Sequence, residues 1–160
     1  MFNLEKLPRQ AGSYVIVGLA EDRFSLDIKR FGLREMPAGY YLYCGSAHGP
    51  GGLKSRVSRH LDLQTKKFWH FDYLKEHLDF TCIWWQVGSA NYECETAQFL
   101  FSLREASCVT PGFGASDCRN GCLSHLVYFP DLTFVEQAWQ QLDRKGWDYQ
   151  QLSQKGDEIG

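Results

Sequence analysis

The chain has 160 residues, 44% hydrophobic and 15% aromatic, with a formal net charge of -2. This suffices for one compact domain with a sizeable core and is short for two; it excludes a disordered chain and any global electrostatic pull toward nucleic acid. No apolar run approaches the roughly 20 residues of a membrane helix, and the start MFNLEKLPRQ carries no apolar signal-type segment. A cytoplasmic location without a membrane partner is therefore expected, and the 6 cysteines should be thiols or metal ligands rather than disulfides.

In chain order, residues 1–11 read as a lead-in, with Leu4 and Leu7 packing on the domain. Tyr14 to Val17 is a β-branched strand run. Phe24 to Ile28 alternates apolar and polar residues and reads as a second strand. Residues 30–38, with Gly32 and Pro37, read as a loop or short strand pair, and Gly39 to Gly45 is a third clear strand. No helix-length segment separates these runs, so an antiparallel meander is expected. Gly49-Pro50-Gly51-Gly52 breaks the pattern. Leu53, Val57 and Leu61 then give a helix one apolar face. A second helix is expected over Lys66 to Leu78 and a strand over Phe80 to Val87. A third helix should start from Ser89 or Asn91 and run to about Leu103. Residues 110–130 are loop-like until Leu126 to Phe129. Thr133 with Glu136 forms a capping-box pattern for a last helix over about 133–145. The reading is one domain over 1–148, with its core at 12–130 and a polar tail at 149–160.

Several constellations can carry chemistry, and each has a plainer reading. Tyr14 and Tyr43 end two strands that adjacency would bring together. A tyrosine beside a cation can shuttle a proton, but strands are also where core tyrosines sit. Arg56 and His60, spaced i, i+4, share a helix face. Arg56 can fork onto phosphate oxygens and His60 can donate to a leaving oxygen, or both belong to a solvated basic face. Around them Lys54, Arg59, Lys66 and Lys67 stand against Asp62 alone, a basic patch on an acidic chain. Glu93 or Glu95 can hold a hard divalent cation, or simply suit a helix N-terminus. They point about 200° apart on a helix, so only one can face a site. Cys118, Cys122 and His125 supply most of a zinc site, with Cys108 as a candidate fourth ligand; a structured loop carrying free thiols is the alternative. Trp69 to Tyr73, including His70, offers aromatic and imidazole contacts to nucleic acid or a place in the core.

The order Gly12-Ser13-Tyr14, Tyr43-Cys44-Gly45, Leu53-Lys54-Ser55-Arg56-Val57-Ser58-Arg59-His60-Leu61 and a helical glutamate resembles the GIY-YIG nuclease superfamily. More closely, the chain is similar to an uncharacterised branch found alone or fused to endonuclease III-like glycosylases. That branch carries stretches like Pro37-Ala38-Gly39-Tyr40-Tyr41, Trp69-His70-Phe71-Asp72-Tyr73, and Gly112 to Cys118 followed by Ser124-His125-Leu126. The resemblance implies an α+β domain with a small central antiparallel sheet of about three or more strands, flanked by helices. It implies a DNA endonuclease dependent on Mg²⁺ or Mn²⁺, working in repair or on branched DNA, beside repair proteins. Tyr14 would orient or deprotonate the attacking water, supported by Tyr43. Arg56, assisted by His60, would stabilise the phosphorane charge, and Glu93 would hold the metal. Gly45, Ser46, Lys54, Arg59 and His70 would contact DNA. The alternative is an inactive nucleic-acid-binding or scaffolding module. Ser13 and Cys44 replace the usual aliphatic residues. The long interval from Tyr14 to Tyr43 implies an inserted hairpin around residues 21–38, and the Cys118 to Cys122 interval is longer than the branch's own.

Overall fold

The computed structural model describes residues 2–116 and 118–152. At its centre is β1 (Gly12–Ala20), whose Val15, Ile16 and Val17 suit a pleated, packed strand. It pairs antiparallel with β4 (Gly39–Ala47) on one side and β5 (Asp79–Val87) on the other. β6 (Leu126–Phe129) adds to β4, and β7 (Asp148–Gln151) adds to β5. The order is β6-β4-β1-β5-β7, antiparallel throughout. Helices α1 (Gly52–Leu61), α2 (His70–Leu74), α3 (Glu93–Phe101) and α4 (Leu132–Arg144) flank it. The expected α+β class is the one that forms.

The sheet is covered on both faces, so its central strands read as near-continuous apolar runs. Tyr14 and Ile16 face one core with Tyr43, Trp85, Leu53, Val57 and Phe71. Val15 and Val17 face the other with Leu42, Trp84, Ala97, Leu100 and Ala138. Successive strand residues point to opposite faces, which is why the adjacent Trp84 and Trp85 enter different cores.

The expected meander does not form. β2 (Phe24–Ile28) pairs with β3 (Gly32–Met36) as a separate two-stranded sheet. This is the hairpin implied for residues 21–38. Its strands bury only alternate residues, Leu26, Ile28 and Met36 among them. β4 is buried almost throughout and so takes the interior place beside β1.

The helix expected over Lys66 to Leu78 is shorter. It spans α2 and a single 3-10 turn, Lys75–His77. The Asp72 carboxylate accepts the N–H groups of Phe68 (2.8 Å) and Trp69 (2.9 Å), fixing the helix start at Trp69. α3 starts at Glu93, whose N–H donates to Asn91 Oδ1 (3.1 Å), and ends before Leu103. α4 follows Asp131, and the Thr133–Glu136 box is not its cap. Leu7 is buried, as expected of the lead-in. Residues 148–151 are not tail but an edge strand, flanked by the buried Trp147 and Leu152. The rest of the expected tail, 153–160, and Asp117 lie outside the described residues. Among the described residues no helix is long and apolar enough to cross a membrane.

Candidate functional site

The site is built first on the β1–β4 register. Tyr14 stands opposite Gly45, and Ile16 opposite Tyr43, so both phenols lie on one face of the sheet. Gly45 is where it is because a Cβ there would overlap the Tyr14 ring. The missing side chain lets Tyr14 lie across β4. Tyr43 is wedged by a stack on Phe71, ring centroids 4.7 Å apart, with Gly114 passing close over its edge. Both phenols are buried. Burial is the largest cause raising Tyr14 well above the ordinary tyrosine value, with Tyr43 and Glu93 adding and Arg56 opposing. Burial raises Tyr43 too, helped by Glu93.

α1 is seated by close backbone approach. Gly52 has φ 58°, and its Cβ position is filled by the carbonyls of Arg9 and Gln10. The Leu53 and Lys54 N–H groups then donate to Gln10 and Pro8 carbonyls, each at 2.9 Å. This docking turns His60 inward rather than onto a solvated face. Its Nε2 lies 2.8 Å from the Tyr14 hydroxyl, and its buried Nδ1 has no partner among the described residues. Burial, with Arg56 adding, drives the imidazole down to about 3. His60 is therefore neutral at physiological pH. Its unfolded value is about 6.5. In the interval the unfolded chain binds the extra proton, so stability is fully present above about pH 6.5 and declines as pH falls toward the folded value. Urea midpoints should drop steadily below pH 6.5 in the parent and more weakly in His60→Gln. Equal slopes in the two would contradict this.

Arg56 and Glu93 approach from different layers and meet at Ser46. Arg56 Nη1 donates to the Ser46 carbonyl (3.4 Å), and its guanidinium lies over Trp69, 4.9 Å from the ring centroid. Ser46 Oγ donates to Glu93 Oε2 (3.1 Å), and Asn91 Nδ2 approaches Oε1 at 3.5 Å. The start of α3 is pinned to β1 by the Tyr92 N–H, which donates to Ser13 Oγ (3.0 Å). Glu93 is half-buried and forms no ion pair among the described residues. Glu95 is exposed and faces away, lining a groove of about 200 Å³ with Gln86, Phe99, Lys145 and Trp147. Tyr14, Tyr43, Arg56, His60 and Glu93 are thus brought together, and Glu95 is not.

The outlying residues divide. Lys54 is half-buried and Ser46 is central to the site. Arg59 is committed to Asp72 (2.9 and 3.3 Å) and to the Lys66 carbonyl (3.1 Å) while lying over Trp69. His70 accepts the Gly114 N–H on Nδ1 (2.8 Å), which ties α2 to the 112–125 loop. Neither guanidinium nor imidazole is free in the way a bare basic face would leave it. Sequence reasoning missed the role of Ser13 and offered Asn91 only as a helix cap, not as a partner of the Glu93 carboxylate. Ser13 stood out only as a departure from an aliphatic residue, and that departure was the signal.

Cys118, Cys122 and His125 come together with a fourth candidate ligand, which is Cys94 and not Cys108. Burial pushes the Cys94 thiol up to about 12, and its neighbouring thiols add to this. For Cys118 burial also acts upward, but the Cys122 and Asn120 backbone N–H groups and the adjacent thiols outweigh it and hold the value to about 6. Cys94 was hidden by its separation of 24 positions from Cys118.

No curated protein and no solved structure matches the chain. A family model described as Domain of unknown function DUF123 matches residues 13–146, a span holding all of β1 but Gly12, every residue of the site and the cysteine cluster. With most of its length covered by that match, the chain belongs to the Domain of unknown function DUF123 family.

Proposed function

We propose that this chain is a divalent-metal-dependent endonuclease of the GIY-YIG type that hydrolyses DNA phosphodiesters. The observation that carries the reading is the convergence on Ser46. Arg56 from α1 and Glu93 from α3 both reach it, beside the Tyr14–His60 pair and Tyr43. A guanidinium, a carboxylate without an ion-pair partner among the described residues and a phenol–imidazole pair are groups that can stabilise charge, hold a cation and relay a proton in an in-line displacement at phosphorus.

The donor set fits a hard cation. Glu93 presents carboxylate oxygens beside a hydroxyl, and Mg²⁺ or Mn²⁺ takes one or two carboxylates with water completing its shell. When bound there, the ion would polarise the phosphoryl group. The remaining chemistry belongs to the chain. A phenol raised this far stays protonated near neutrality and cannot act as a base by itself. With the imidazole proton on Nδ1, however, His60 Nε2 accepts the Tyr14 proton as Tyr14 oxygen takes one from the attacking water, a transfer that needs the bound phosphate's negative charge to lift the imidazole from about 3. The water oxygen bonds to phosphorus, the bond to one ester oxygen breaks, and the leaving oxygen takes a solvent proton. Arg56 neutralises charge on the phosphorane oxygens. Tyr43 packs against both His60 and Phe71 and holds the pair in place.

The basic face of α1 and the following segment binds the strand. Lys54 and Arg56 meet phosphates, and Phe68, 77% exposed and edge-on to Trp69, offers a surface on which a base stacks. The proposed setting is repair or the processing of branched DNA, beside repair proteins. A second reading, a nucleic-acid-binding module that does not cut, is favoured by one observation: both phenols are buried and held protonated. Incubation with duplex, nicked, flap and four-way-junction DNA separates the two. Nicks that appear only with Mg²⁺ or Mn²⁺ are expected. Binding that falls steeply with salt, with no product in any metal, would leave the module.

A further inference from the structure

Four ligand atoms converge beside Glu93, and nothing in the proposed cleavage uses them. Cys94 stands in the first turn of α3, Cys118 and Cys122 in the loop after Phe113, and His125 immediately before β6. Cys94 Sγ lies 3.4 Å from Cys118 Sγ and 3.5 Å from His125 Nε2. All four atoms lie within 4.8 Å of one another. Ligands on one tetrahedral zinc ion sit about 3.5–3.8 Å apart, given metal–ligand bonds of roughly 2.0–2.3 Å. The cluster is therefore already near coordination spacing.

The presentation of the ligands points the same way. His125 is buried and held at both ends of its peptide unit. Its N–H donates to the Phe113 carbonyl (2.8 Å), and its own carbonyl accepts the Cys44 N–H (2.9 Å). Gln98 Nε2 approaches Cys122 Sγ at 3.5 Å, the kind of outer contact that spreads charge from a metal-bound thiolate. A Cys94–Cys118 disulfide would account for one close pair and leave Cys122 and His125 aimed at the same point without cause.

We propose that Cys94, Cys118, Cys122 and His125 bind one Zn²⁺ as a closed Cys₃His centre that ties the first turn of α3 to the 112–125 loop and so fixes the direction of Glu93. With every position supplied by protein, the centre is structural and leaves no open site for a substrate. Three sulfur ligands select zinc over Mg²⁺ or Mn²⁺, so the two metals do not compete. The centre does not rest on the nuclease reading, because its measurements are made without DNA.

The full chain, purified without chelator, should carry about one zinc per molecule by elemental analysis. Cys118→Ser and Cys122→Ser should each fall to about a tenth of that or less, while Cys108→Ser keeps the parent content. If the serine variants fail to fold, His125→Cys gives the second reading. It should retain metal and, loaded with Co²⁺, show stronger sulfur-to-metal charge transfer than the parent. Zinc removal should speed hydrogen exchange in the first turn of α3. Parent protein with neither zinc nor a tetrahedral Co²⁺ spectrum would overturn the proposal. So would full zinc in both serine variants, or a Cys94–Cys118 disulfide in protein purified without reductant. Unchanged exchange at α3 after zinc loss would overturn the positioning of Glu93.

Discussion

Arg56→Ala is expected to lower metal-dependent nicking by about 10³-fold, the scale on which a phosphoryl-transfer arginine acts. Folding should survive. Arg56 is half-exposed, and its contacts are one long bond to the Ser46 carbonyl and a stack on Trp69, so its removal should cost about 1 kcal/mol or less. Arg56→Lys should recover little, because an ammonium cannot form the planar fork. Glu93→Gln should match the loss, since it keeps a partner for Ser46 but removes the charge that holds the cation. Glu95→Gln, on the far side of α3, should cut like the parent. Rates on a nicked or branched substrate at fixed Mg²⁺ check all four, with thermal melts alongside. Parent-like rates in both Arg56→Ala and Glu93→Gln would remove the nuclease reading. Equal losses in Glu93→Gln and Glu95→Gln would remove the assignment of the metal to Glu93.

The largest effect on stability is expected from Asp72→Ala. This carboxylate is buried and accepts from Arg59, from Lys75 (3.1 Å) and from the Phe68 and Trp69 N–H groups. Lys75 is itself 3% exposed and also donates to the Asp62 carbonyl and Thr65 Oγ1 (2.8 Å), so removing Asp72 leaves a buried ammonium hydrogen-bonded but without its counter-ion. Breaking such a pair from one side costs about 3–5 kcal/mol. For a domain of this size that is a fall in Tm on the order of 10 °C. Burial acts to raise the Asp72 value, but Arg59, the two N–H groups and Lys75 outweigh it and leave it well below the ordinary carboxylate range. The stabilisation is present above the unfolded value near 3.9 and is lost as pH falls through the folded value. Parent and Asp72→Ala should therefore differ most near neutrality and converge in strong acid. A Tm within 2 °C of the parent at pH 7, about 1 kcal/mol or less at this size, would show that water or rearrangement replaces the carboxylate.

The strands were legible because their composition and burial agree. β1, β4 and β5 are covered on both faces, and their long apolar runs say so without help from the rest of the chain. Pairing was less legible. Chain order suggests that neighbouring strands pair, whereas β1 takes β4 and β5 and leaves the hairpin aside. Helix ends failed where side chains overrule propensity, as Asp72 does at Trp69. In the site, Tyr14, Tyr43 and Arg56 followed from spacing and from the GIY-YIG resemblance. His60 was placed on the right helix, but whether it belonged to the site or to a solvated basic face stayed open, because i, i+4 spacing says which residues share a face and not which face is buried. Cys94 was missed because ligands distant in sequence leave no local pattern.

Ser13 and Tyr14 are neighbours whose side chains leave the sheet on opposite sides. Ser13 reaches the start of α3, and Tyr14 reaches His60 in α1. The two layers that carry Glu93 and Arg56 are thus indexed to each other by a single peptide unit. A slip of β1 by one residue would exchange these faces, sending the phenol under α3 and the hydroxymethyl toward the imidazole. The nine-residue pairing of β1 with β4 is accordingly a gauge as well as a scaffold. A residue inserted into β1 beside Tyr14 would leave the core's composition almost unchanged while unmaking the site on both sides of the sheet at once.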